Sequence, residues 1–349
     1  MSIKVLVVDD SALIREVLSR TLARDGDIAV VGTAEDPIAA REKIKQLNPD
    51  VVTLDIEMPN MNGLAFLEKL MRLHPLPVVM VSTLTRKGAN ETMLALELGA
   101  VDFAAKPNAE LSGGIEAFGA MLREKVRAAA HSDVRGRAMR AQAPNVPIRT
   151  AAAPEGAVIA IGASTGGVEA VRAVLSQLPP DCPPVLIAQH MPPGFTGRFA
   201  ARLDEVTDLT VVEAEDRLAL QAGHAYVARG DHHLRIERSS GQLKCRLSQD
   251  ELASGHRPSV DVLFASVART VGPMAVGAIL TGMGRDGATG LKLMRDAGCY
   301  TVGQSQASAL VYGMPRVAFE EGACVEQAPL EAIAGKLVHA VMRVRPAAA

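Results

Sequence analysis

The chain has no tryptophan, only three tyrosines, and no apolar run long enough to span a bilayer among its 349 residues. The scarcity of aromatic rings weakens any function that depends on stacking nucleic-acid bases. The formal net charge is −2, so there is no electrostatic case for a nucleic-acid partner or a membrane surface. We therefore expect neither nucleic-acid binding nor membrane insertion.

Disulfide and zinc-binding patterns are also missing. The four cysteines are scattered, without a C-x-x-C spacing, at Cys182, Cys245, Cys299 and Cys324. This distribution is typical of reduced thiols rather than of a disulfide framework. The first residues, Met-Ser-Ile-Lys, lead directly into a short apolar run, which is not the layout of a signal peptide. These features predict a cytoplasmic protein.

The first half of the chain alternates apolar runs with amphipathic stretches. "KVLVVDD", "DVVTLD", "PVVMVS" and "VDFAAKP" are typical of buried strands. "SALIREVLSRTL" predicts a helix, with one apolar stripe formed by Leu13, Ile14, Val17, Leu18 and Leu22. This alternation predicts an α/β domain with a parallel sheet over residues 1–122.

A change of composition separates this half from the next. Residues 123–155 are rich in Ala, Arg and Pro and lack a sustained apolar period, which predicts a helical lead-out and a flexible linker. Beyond them, "VIAIGA", "PVLIAQ", "LTVVEA" and "MAVGAILTG" predict the strands of a doubly wound α/β domain over residues 156–345. The alternation of "HLRIERSSGQLKCRL" about its Ser-Ser-Gly-Gln predicts a β-hairpin inserted into that domain.

The predicted strands of the first domain end in acids, a hydroxyl and a lysine. Ligands of a parallel sheet bind outside the carboxyl ends of its strands, so these side chains belong in one crevice. They are Asp9, Asp10, Asp55, Ser82 and Lys106. Three carboxylates repel one another unless a cation lies among them, and oxygen ligands favour Mg²⁺. The lysine and the hydroxyl beside them suit a phosphoryl group.

Through "VDDS", "LDIEMPNMNG", "VS" and "KP", residues 2–120 resemble the receiver domain of response regulators, which has a flavodoxin-like sheet. The resemblance implies that Asp55 accepts a phosphoryl group from a histidine kinase and that Ser82 and Lys106 sense it. It implies four oxygen ligands for Mg²⁺, from Asp9, Asp10, Asp55 and the carbonyl of Glu57. Two residues would shape the loop after the acceptor, Pro59 and Gly63. Phe103 departs from the many receivers that have tyrosine at this position.

The stretch "VIAIGASTGGVEA", residues 158–170, predicts a strand, a glycine turn and a helix. A P-loop is disfavoured because Val168-Glu169 stands where its lysine would be. A dinucleotide-binding turn is disfavoured because Ser164 replaces its middle glycine, and because the next strand ends in Gln189-His190 rather than in an acid. The remaining interpretation of the turn is a serine nucleophile.

A nucleophilic serine needs a base to remove its proton and a third group to orient that base. His190 ends the neighbouring predicted strand, and Asp286 lies in the glycine-rich loop after "MAVGAILTG". Three strand ends thus bring Ser164, His190 and Asp286 to one crevice, and the helix after Gly166 adds N–H donors for an oxyanion. The chain order Ser, His, Asp differs from that of α/β-hydrolases, in which the acid precedes the histidine.

Structural roles for these residues stay open at the level of the sequence. Ser164 could be only a helix N-cap, and Asp286 only a turn or cap acid. His232 and His233 could suggest a metal site, but adjacent residues of a strand point to opposite faces and do not form a pair of ligands.

A rival set of reactive side chains occurs in "GHRPSVD", which contains His256, Ser259 and Asp261. Ser259 is placed as the N-cap of the helix "SVDVLFASVA", with Asp261 in its first turn. The set is therefore interpreted as structural, or at most as binding substrate through His256 or Arg257.

Nearly the whole chain resembles the chemotaxis protein-glutamate methylesterase family, through "IGASTGG", "QHMPPGFT", "HRPSVDVLF", "ILTGMGRDGA" and "VYGMP". The resemblance implies Ser164 as nucleophile, His190 as base and Asp286 as orienting acid. It implies hydrolysis of γ-glutamyl methyl esters on chemoreceptors, with release of methanol, and deamidation of certain receptor glutamines, with no cofactor for the hydrolysis. Backbone N–H groups near Thr165 and Met283 are the expected oxyanion donors, because both flank these residues in glycine-rich turns.

The two-domain layout implies control by phosphorylation, since in this family the receiver covers the crevice until it is phosphorylated. The expected partners are methylated chemoreceptor helices as substrate and a chemotaxis histidine kinase as phosphodonor, with the chain itself a monomer. A response regulator with a binding output is the competing class. The second half lacks the basic recognition helix of a DNA-binding output, whereas a pseudo-enzyme that only docks on receptors stays open.

Overall fold

A computed structural model describes residues 2–58, 62–82, 85–106, 114–132, 134 and 154–344, with the backbone alone at residues 86 and 87. The chain divides into two compact units, Met1–Ala141 and Gln142–Ala349. None of the helices in the described part of the chain is long and apolar enough to cross a membrane.

The first unit alternates strands and helices. The strands are β1 (Ile3–Val8), β2 (Ile28–Ala34), β3 (Val51–Asp55), β4 (Val78–Ser82) and β5 (Asp102–Ala105). The helices are α1 (Ala12–Ala23), α2 (Pro37–Leu47), α3 (Gly63–Leu73), α4 (Arg86–Glu97) and α5 (Gly114–Ala130). The five strands form a parallel sheet in the order β2-β1-β3-β4-β5, the flavodoxin-like order, as predicted.

Local signals in this unit hold with one exception. Asp36 caps α2 by accepting 2.8 Å hydrogen bonds from the N–H groups of Ile38 and Ala39, as its position before a proline predicts. The exception is Leu13, which is 71% exposed, so its assignment to the buried stripe of α1 is wrong. At about 100° per residue Leu13 lies about 140° around the helix from the buried Leu18, and therefore on another face.

Helix α5 continues past residue 122 into the segment predicted as a helical lead-out. Arg123 in its middle is buried and donates hydrogen bonds to Asp25 Oδ2 at 2.8 Å and to Thr21 O at 3.0 Å. Residues 135–153, the greater part of the predicted linker, lie outside the described residues.

The second unit contains nine strands and six helices in the described residues. The strands are β6 (Val158–Ala163), β7 (Val185–Gln189), β8 (Thr210–Glu213), β9 (His224–Val227), β10 (His233–Ser239), β11 (Gln242–Ser248), β12 (Ala275–Ile279), β13 (Tyr300–Gln304) and β14 (Glu326–Ala328). The helices are α6 (Gly167–Leu175), α7 (Thr196–Val206), α8 (Val260–Val271), α9 (Ala288–Asp296), α10 (Met314–Glu320) and α11 (Leu330–Val341).

Seven of these strands form a parallel sheet in the order β14-β13-β12-β6-β7-β9-β8. The other two, β10 and β11, form the predicted antiparallel hairpin, in which Leu234 lies opposite Leu247. All residues of β6, β7 and β12 are buried, so the centre of the sheet is covered on both faces.

The order of the strands reverses between β6 and β12. From β6 the chain adds β7 and then β8 and β9 on one side, whereas from β12 it adds β13 and β14 on the other. In an open α/β sheet the crevice at such a switch point, outside the carboxyl ends of the strands, is the usual ligand site. The residues that follow β6, β7 and β12 are therefore where a site is expected.

Candidate active site

Ser164 follows β6 in a turn that requires glycine. Gly166 has a left-handed backbone, with φ +77°, and a Cβ there would lie 2.8 Å from the Leu310 side chain. The Ser164 N–H donates a 3.0 Å hydrogen bond to Thr281 O, which ties the turn to the segment after β12. The serine therefore has a fixed place at the switch point of the sheet.

His190 follows β7 and reaches this serine. Its Nδ1 lies 3.1 Å from Ser164 Oγ, within hydrogen-bond distance. The His190 N–H donates a 3.2 Å hydrogen bond to Ala163 O, so neighbouring strands set the separation of the two residues. Only 8% of the His190 side chain is exposed.

Asp286 completes the chain of hydrogen bonds from the loop after β12. Its Oδ2 lies 2.7 Å from His190 Nε2, and its side chain is 1% exposed. The structure thus brings together the three residues that were predicted to meet, Ser164, His190 and Asp286, with the histidine between the other two. When a buried carboxylate, an imidazole and a hydroxyl are hydrogen-bonded in this spatial order, the imidazole can remove the proton of the hydroxyl.

The N-terminus of α8 holds the same carboxylate. Asp286 Oδ1 accepts hydrogen bonds from Ser259 Oγ at 2.7 Å and from the Asp261 N–H at 3.1 Å, while Oδ2 also accepts from the Val260 N–H at 2.7 Å. Burial acts to raise the pKa of Asp286, but the hydrogen bonds from His190, Ser259 and Val260 outweigh it and lower the pKa to about 2. The acid is therefore held ionised beside the imidazole.

Ser259 is the N-cap of α8, as the sequence predicts. The Ser259 Oγ accepts a 3.4 Å hydrogen bond from the Val262 N–H. Its contact with Asp286 was not predicted. Asp261 donates its N–H to that acid, and its own carboxylate accepts a 2.7 Å hydrogen bond from the Gly290 N–H at the start of α9. The residues of the rival set therefore support the first set rather than forming a second one.

Three further polar residues, whose contacts were not predicted from the sequence, fix the turn around Ser164. Thr281 Oγ1 donates a 3.0 Å hydrogen bond to Thr165 O, and the Thr281 N–H donates a 2.8 Å hydrogen bond to Gln304 Oε1. Gln189 Nε2 donates a 2.9 Å hydrogen bond to Ser164 O. The sequence signal that could have found these residues is their position at or after the end of an apolar strand. Many residues with purely structural roles share that position, so the signal does not single out Thr281, Gln304 or Gln189.

The two expected oxyanion donors lie on loops close to the serine. Thr165 is the residue after it and is buried, with 4% exposed. A Cβ on Gly282 would lie 2.8 Å from Ser164 Cβ, so the loop that contains Met283 passes beside the serine. Both loops therefore lie beside the Ser164 side chain.

Three other histidines of the second unit have distinct surroundings. His233 is fully buried, and its ring contacts Glu251 O at 2.9 Å and the Ser259 N–H at 3.3 Å. His232 Nδ1 lies 3.2 Å from Gly230 O. The ring of His256 stacks on the ring of His190, with centroids 3.7 Å apart and an interplanar angle of 13°.

The first unit places its predicted site residues at one edge of its sheet. Carboxylate oxygens of Asp9, Asp10 and Asp55 lie within 4.8 Å of one another, which is the one such acidic, histidine or cysteine cluster in the described residues. Lys106 Nζ lies 2.9 Å from Asp9 Oδ2 and 2.8 Å from Asp55 Oδ2. Burial raises the pKa of Asp55 to about 6, against the opposing effect of the Lys106 ammonium group.

This cluster fits a divalent cation. Three carboxylates and a single ammonium group leave negative charge uncompensated, and all the free ligand atoms are oxygens, which Mg²⁺ prefers. Ser82 is buried at the end of β4 and donates a 3.3 Å hydrogen bond to Gly88 O. The backbone of Glu57 follows Asp55 by two residues, and the Glu57 side chain is exposed.

Of the two residues expected to shape the loop after Asp55, Pro59 lies outside the described residues. Gly63 begins α3, and a Cβ there would lie 2.1 Å from Asp55 O, so only glycine fits this approach. Phe103 is buried on β5, where the Lys125 ammonium group lies 5.5 Å from the centre of its ring.

Comparison with known proteins gives the same division of the chain into two parts. The CheB methylesterase family model matches residues 159–337, and the response regulator receiver domain model matches residues 5–112. A protein-glutamate methylesterase/protein-glutamine glutaminase of Caulobacter vibrioides is 57% identical over 332 residues, which cover 95% of this chain and 96% of that protein. A protein of the same name from Thiobacillus denitrificans is 52% identical over 335 residues, covering 95% and 94%.

The crystal structure of the Thermotoga maritima CheB methylesterase catalytic domain is similar to the second unit. It aligns with 54% of this chain and 99% of its own, at 34% identity and a TM-score of 0.51. These matches confirm the family that the sequence motifs predicted. The chain belongs to the CheB methylesterase family, as a hydrolase in which a response regulator receiver domain precedes the methylesterase domain.

Proposed function

We propose that this chain hydrolyses γ-glutamyl methyl esters on chemoreceptors to glutamate and methanol, and deamidates receptor glutamines, in chemotactic adaptation. The names of its full-length relatives support this substrate class. The observation that carries the proposal is the line of hydrogen bonds from Ser164 Oγ through His190 to Asp286, 3.1 Å and 2.7 Å long, at the switch point of the sheet. Ester hydrolysis and amide hydrolysis both use this arrangement.

In the acylation half-reaction, His190 Nδ1 takes the proton of Ser164 Oγ while Oγ attacks the ester carbonyl carbon. The carbonyl oxygen becomes an oxyanion, and the backbone N–H groups of Thr165 and Met283 are the proposed donors to it. Collapse of this intermediate breaks the bond to the methoxy oxygen, which leaves as methanol with the proton from His190. The glutamyl group remains as an ester on Ser164.

In the deacylation half-reaction, His190 removes a proton from water, which attacks the acyl-enzyme. The bond to Ser164 Oγ breaks, the proton returns to Oγ, and the glutamic acid formed loses its proton to solvent and leaves as a carboxylate. A glutamine substrate follows the same path, with ammonia as the leaving group. In both halves Asp286 stays ionised and stabilises the imidazolium form of His190.

The receiver supplies the proposed control. Asp55 accepts a phosphoryl group from a chemotaxis histidine kinase, with Ser82 and Lys106 contacting the phosphoryl oxygens. The carboxylates of Asp9, Asp10 and Asp55 and the carbonyl of Glu57 would hold Mg²⁺, which would offset negative charge as the phosphoryl group arrives. Before phosphorylation the receiver limits access of the receptor to Ser164, and phosphorylation relieves this inhibition.

The deciding experiment measures methanol release by the full-length chain from a panel of methylated receptor fragments. Ser164→Ala should lower the rate by about a thousandfold or more, since it removes the nucleophile. Ser176→Ala is the matched control, because Ser176 ends the helix that follows the Ser164 turn and its Oγ donates to Ala173 O at 3.3 Å in the same helix. Methanol release that persists in Ser164→Ala, or receptor binding without methanol release by the unmodified chain, would refute the proposal.

A further inference from the structure

The ring of His190 is covered on one face by a second histidine. His256 lies almost parallel to it, with 3.7 Å between the ring centroids and 13° between the planes. The two hydrogen bonds of His190, to Ser164 and Asp286, lie at the edge of its ring. They fix the two nitrogens, but the ring can still tilt about the line that joins its two partners. A flat group packed on the face opposes that tilt.

A tight turn places His256 at this point. The Ala253 N–H donates to His256 O at 3.2 Å, and the His256 N–H donates to Ala253 O at 2.9 Å. The two residues between them, Ser254 and Gly255, have φ of +53° and +80°. This is the pattern of a type I′ turn, which has little freedom once both hydrogen bonds form.

The residues on both sides of His256 are anchored. The Arg257 guanidinium donates to Asp231 Oδ1 at 3.0 and 2.6 Å, to Gln249 O at 3.1 Å and to Asp250 O at 2.7 Å. Ser254 Oγ donates a 3.2 Å hydrogen bond to Asp261 Oδ2, which connects the turn to the first turn of α8.

The residues that follow Arg257 and Pro258 bind the carboxylate of Asp286. Ser259, Val260 and Asp261 donate three hydrogen bonds of 2.7, 2.7 and 3.1 Å to Asp286. The segment of residues 254–261 therefore contacts both proposed catalytic partners of Ser164. His256 packs on His190, and the start of α8 binds Asp286. One short stretch of chain thereby fixes the relative position of the two groups.

We propose that His256 is a positioning residue, which keeps the His190 imidazole in the plane shared by Ser164 Oγ and Asp286 Oδ2. The inference rests on the proposed function, in which His190 carries a proton from Ser164 to the leaving group. That transfer needs Nδ1 aligned with Oγ and then with the methoxy oxygen, and small misalignments of a base are costly. Because His256 acts on the ring of His190, its loss should lower kcat and leave KM unchanged.

The test compares three variants of the full-length chain with methylated receptor fragment as substrate. His256→Ala removes the ring, His256→Asn keeps a polar group without a ring, and His256→Phe keeps a flat ring that cannot titrate. We expect kcat to fall about tenfold to a hundredfold in the first two and to stay within about threefold in the third, with KM within about twofold in all. His232→Ala is the matched control. It also removes a histidine ring from this unit, but one whose Nδ1 contacts a backbone oxygen, Gly230 O, at 3.2 Å.

Circular dichroism of each variant checks that the fold is kept, and the comparison of His256→Phe with His256→Asn remains informative if His256→Ala is unstable. A rise in KM at constant kcat would overturn the inference and assign His256 to substrate binding. Rescue by asparagine but not by phenylalanine would overturn it in favour of a polar role, and three variants with unchanged kcat would overturn it directly. Ser164→Ala, measured in parallel, separates this failure from failure of the proposed function, because only the latter leaves that variant active.

Discussion

Ser259 Oγ donates a 2.7 Å hydrogen bond to Asp286 Oδ1. The residue that caps α8 and the acid beside His190 are therefore in direct contact, although they are far apart in sequence. The helix start supplies two more donors to the same carboxylate, the N–H groups of Val260 and Asp261. We therefore expect the stability of the domain and the orientation of the proposed base, His190, to depend on the same few hydrogen bonds.

Ser259→Ala should weaken both properties. It removes the N-cap of α8 and a buried hydrogen bond to a charged group, which together cost about 1–3 kcal/mol of stability. It should also lower kcat for ester hydrolysis, since Asp286 loses one of its donors. Asp36→Ala is the control, because it removes the N-cap of α2 in the receiver without touching Asp286. Equal kcat values for the two variants would show that the contact has no bearing on the base.

Asp286→Asn should change how stability depends on pH. The pKa of Asp286 is lowered to about 2, so its contribution to stability is present above the ordinary value of 3.8 and is lost as pH falls through about 2. The free energy of unfolding should be on the order of 2 kcal/mol smaller in the variant at pH 7, with a clearly smaller gap at pH 3. Chemical denaturation followed by circular dichroism measures this.

Asp296→Asn provides the reference for that comparison, since the Asp296 side chain is 56% exposed and pairs with Lys292 one helical turn away. Its unfolding free energy should follow that of the unmodified chain at each pH. If the difference in unfolding free energy between Asp286→Asn and the unmodified chain stays constant from pH 7 to pH 3, the lowered pKa is contradicted.

Gly166→Ala should abolish most of the activity. Gly156 has nearly the same φ as Gly166, +80° against +77°, so we expect alanine to strain both by a similar amount, about 1 kcal/mol. At Gly166 the added Cβ would also meet Leu310 at 2.8 Å, whereas at Gly156 nothing lies within 4 Å. The Ser164 turn should shift only in the first variant, with a fall in kcat of about a hundredfold. Methanol release within twofold of normal in Gly166→Ala would be inconsistent with a fixed turn.

Asp55→Asn should remove the response to phosphorylation. The amide cannot accept a phosphoryl group, so a small-molecule phosphodonor with Mg²⁺ should stimulate methanol release by the unmodified chain and not by the variant. Asp27→Asn is the matched control. It makes the same change at the amino end of β2, away from the carboxyl ends where Asp55 lies, and Asp27 pairs with Arg127 at 2.7 Å. Undiminished stimulation of Asp55→Asn would rule out the proposed control.

The meeting of Ser164, His190 and Asp286 was predictable from the sequence because parallel strands bring their carboxyl ends to one edge. The same geometry placed Asp9, Asp55 and their neighbours in the receiver. Apolar runs mark such strands clearly, so the residues that follow them can be found without any knowledge of loop paths.

The supporting contacts could not be predicted in this way. His256 and Ser259 lie in an irregular segment after the hairpin, and no periodicity records where that segment runs. Ser259 was correctly placed as an N-cap, which is a local property, but its bond to Asp286 depends on the packing of α8 against the loop after β12. Leu13 was misplaced because the apolar pattern of α1 is broad and allows more than one face.

The most direct test of the account is to capture the covalent intermediate on Ser164. The full-length chain is mixed with a methylated receptor peptide, quenched in acid within the first turnovers, digested, and analysed by mass spectrometry. The account predicts that the peptide spanning Ser164 gains the mass of the substrate less methanol, and that Ser164→Ala shows no such adduct. Rapid methanol release with no adduct on Ser164, or with the adduct on another residue, would contradict it.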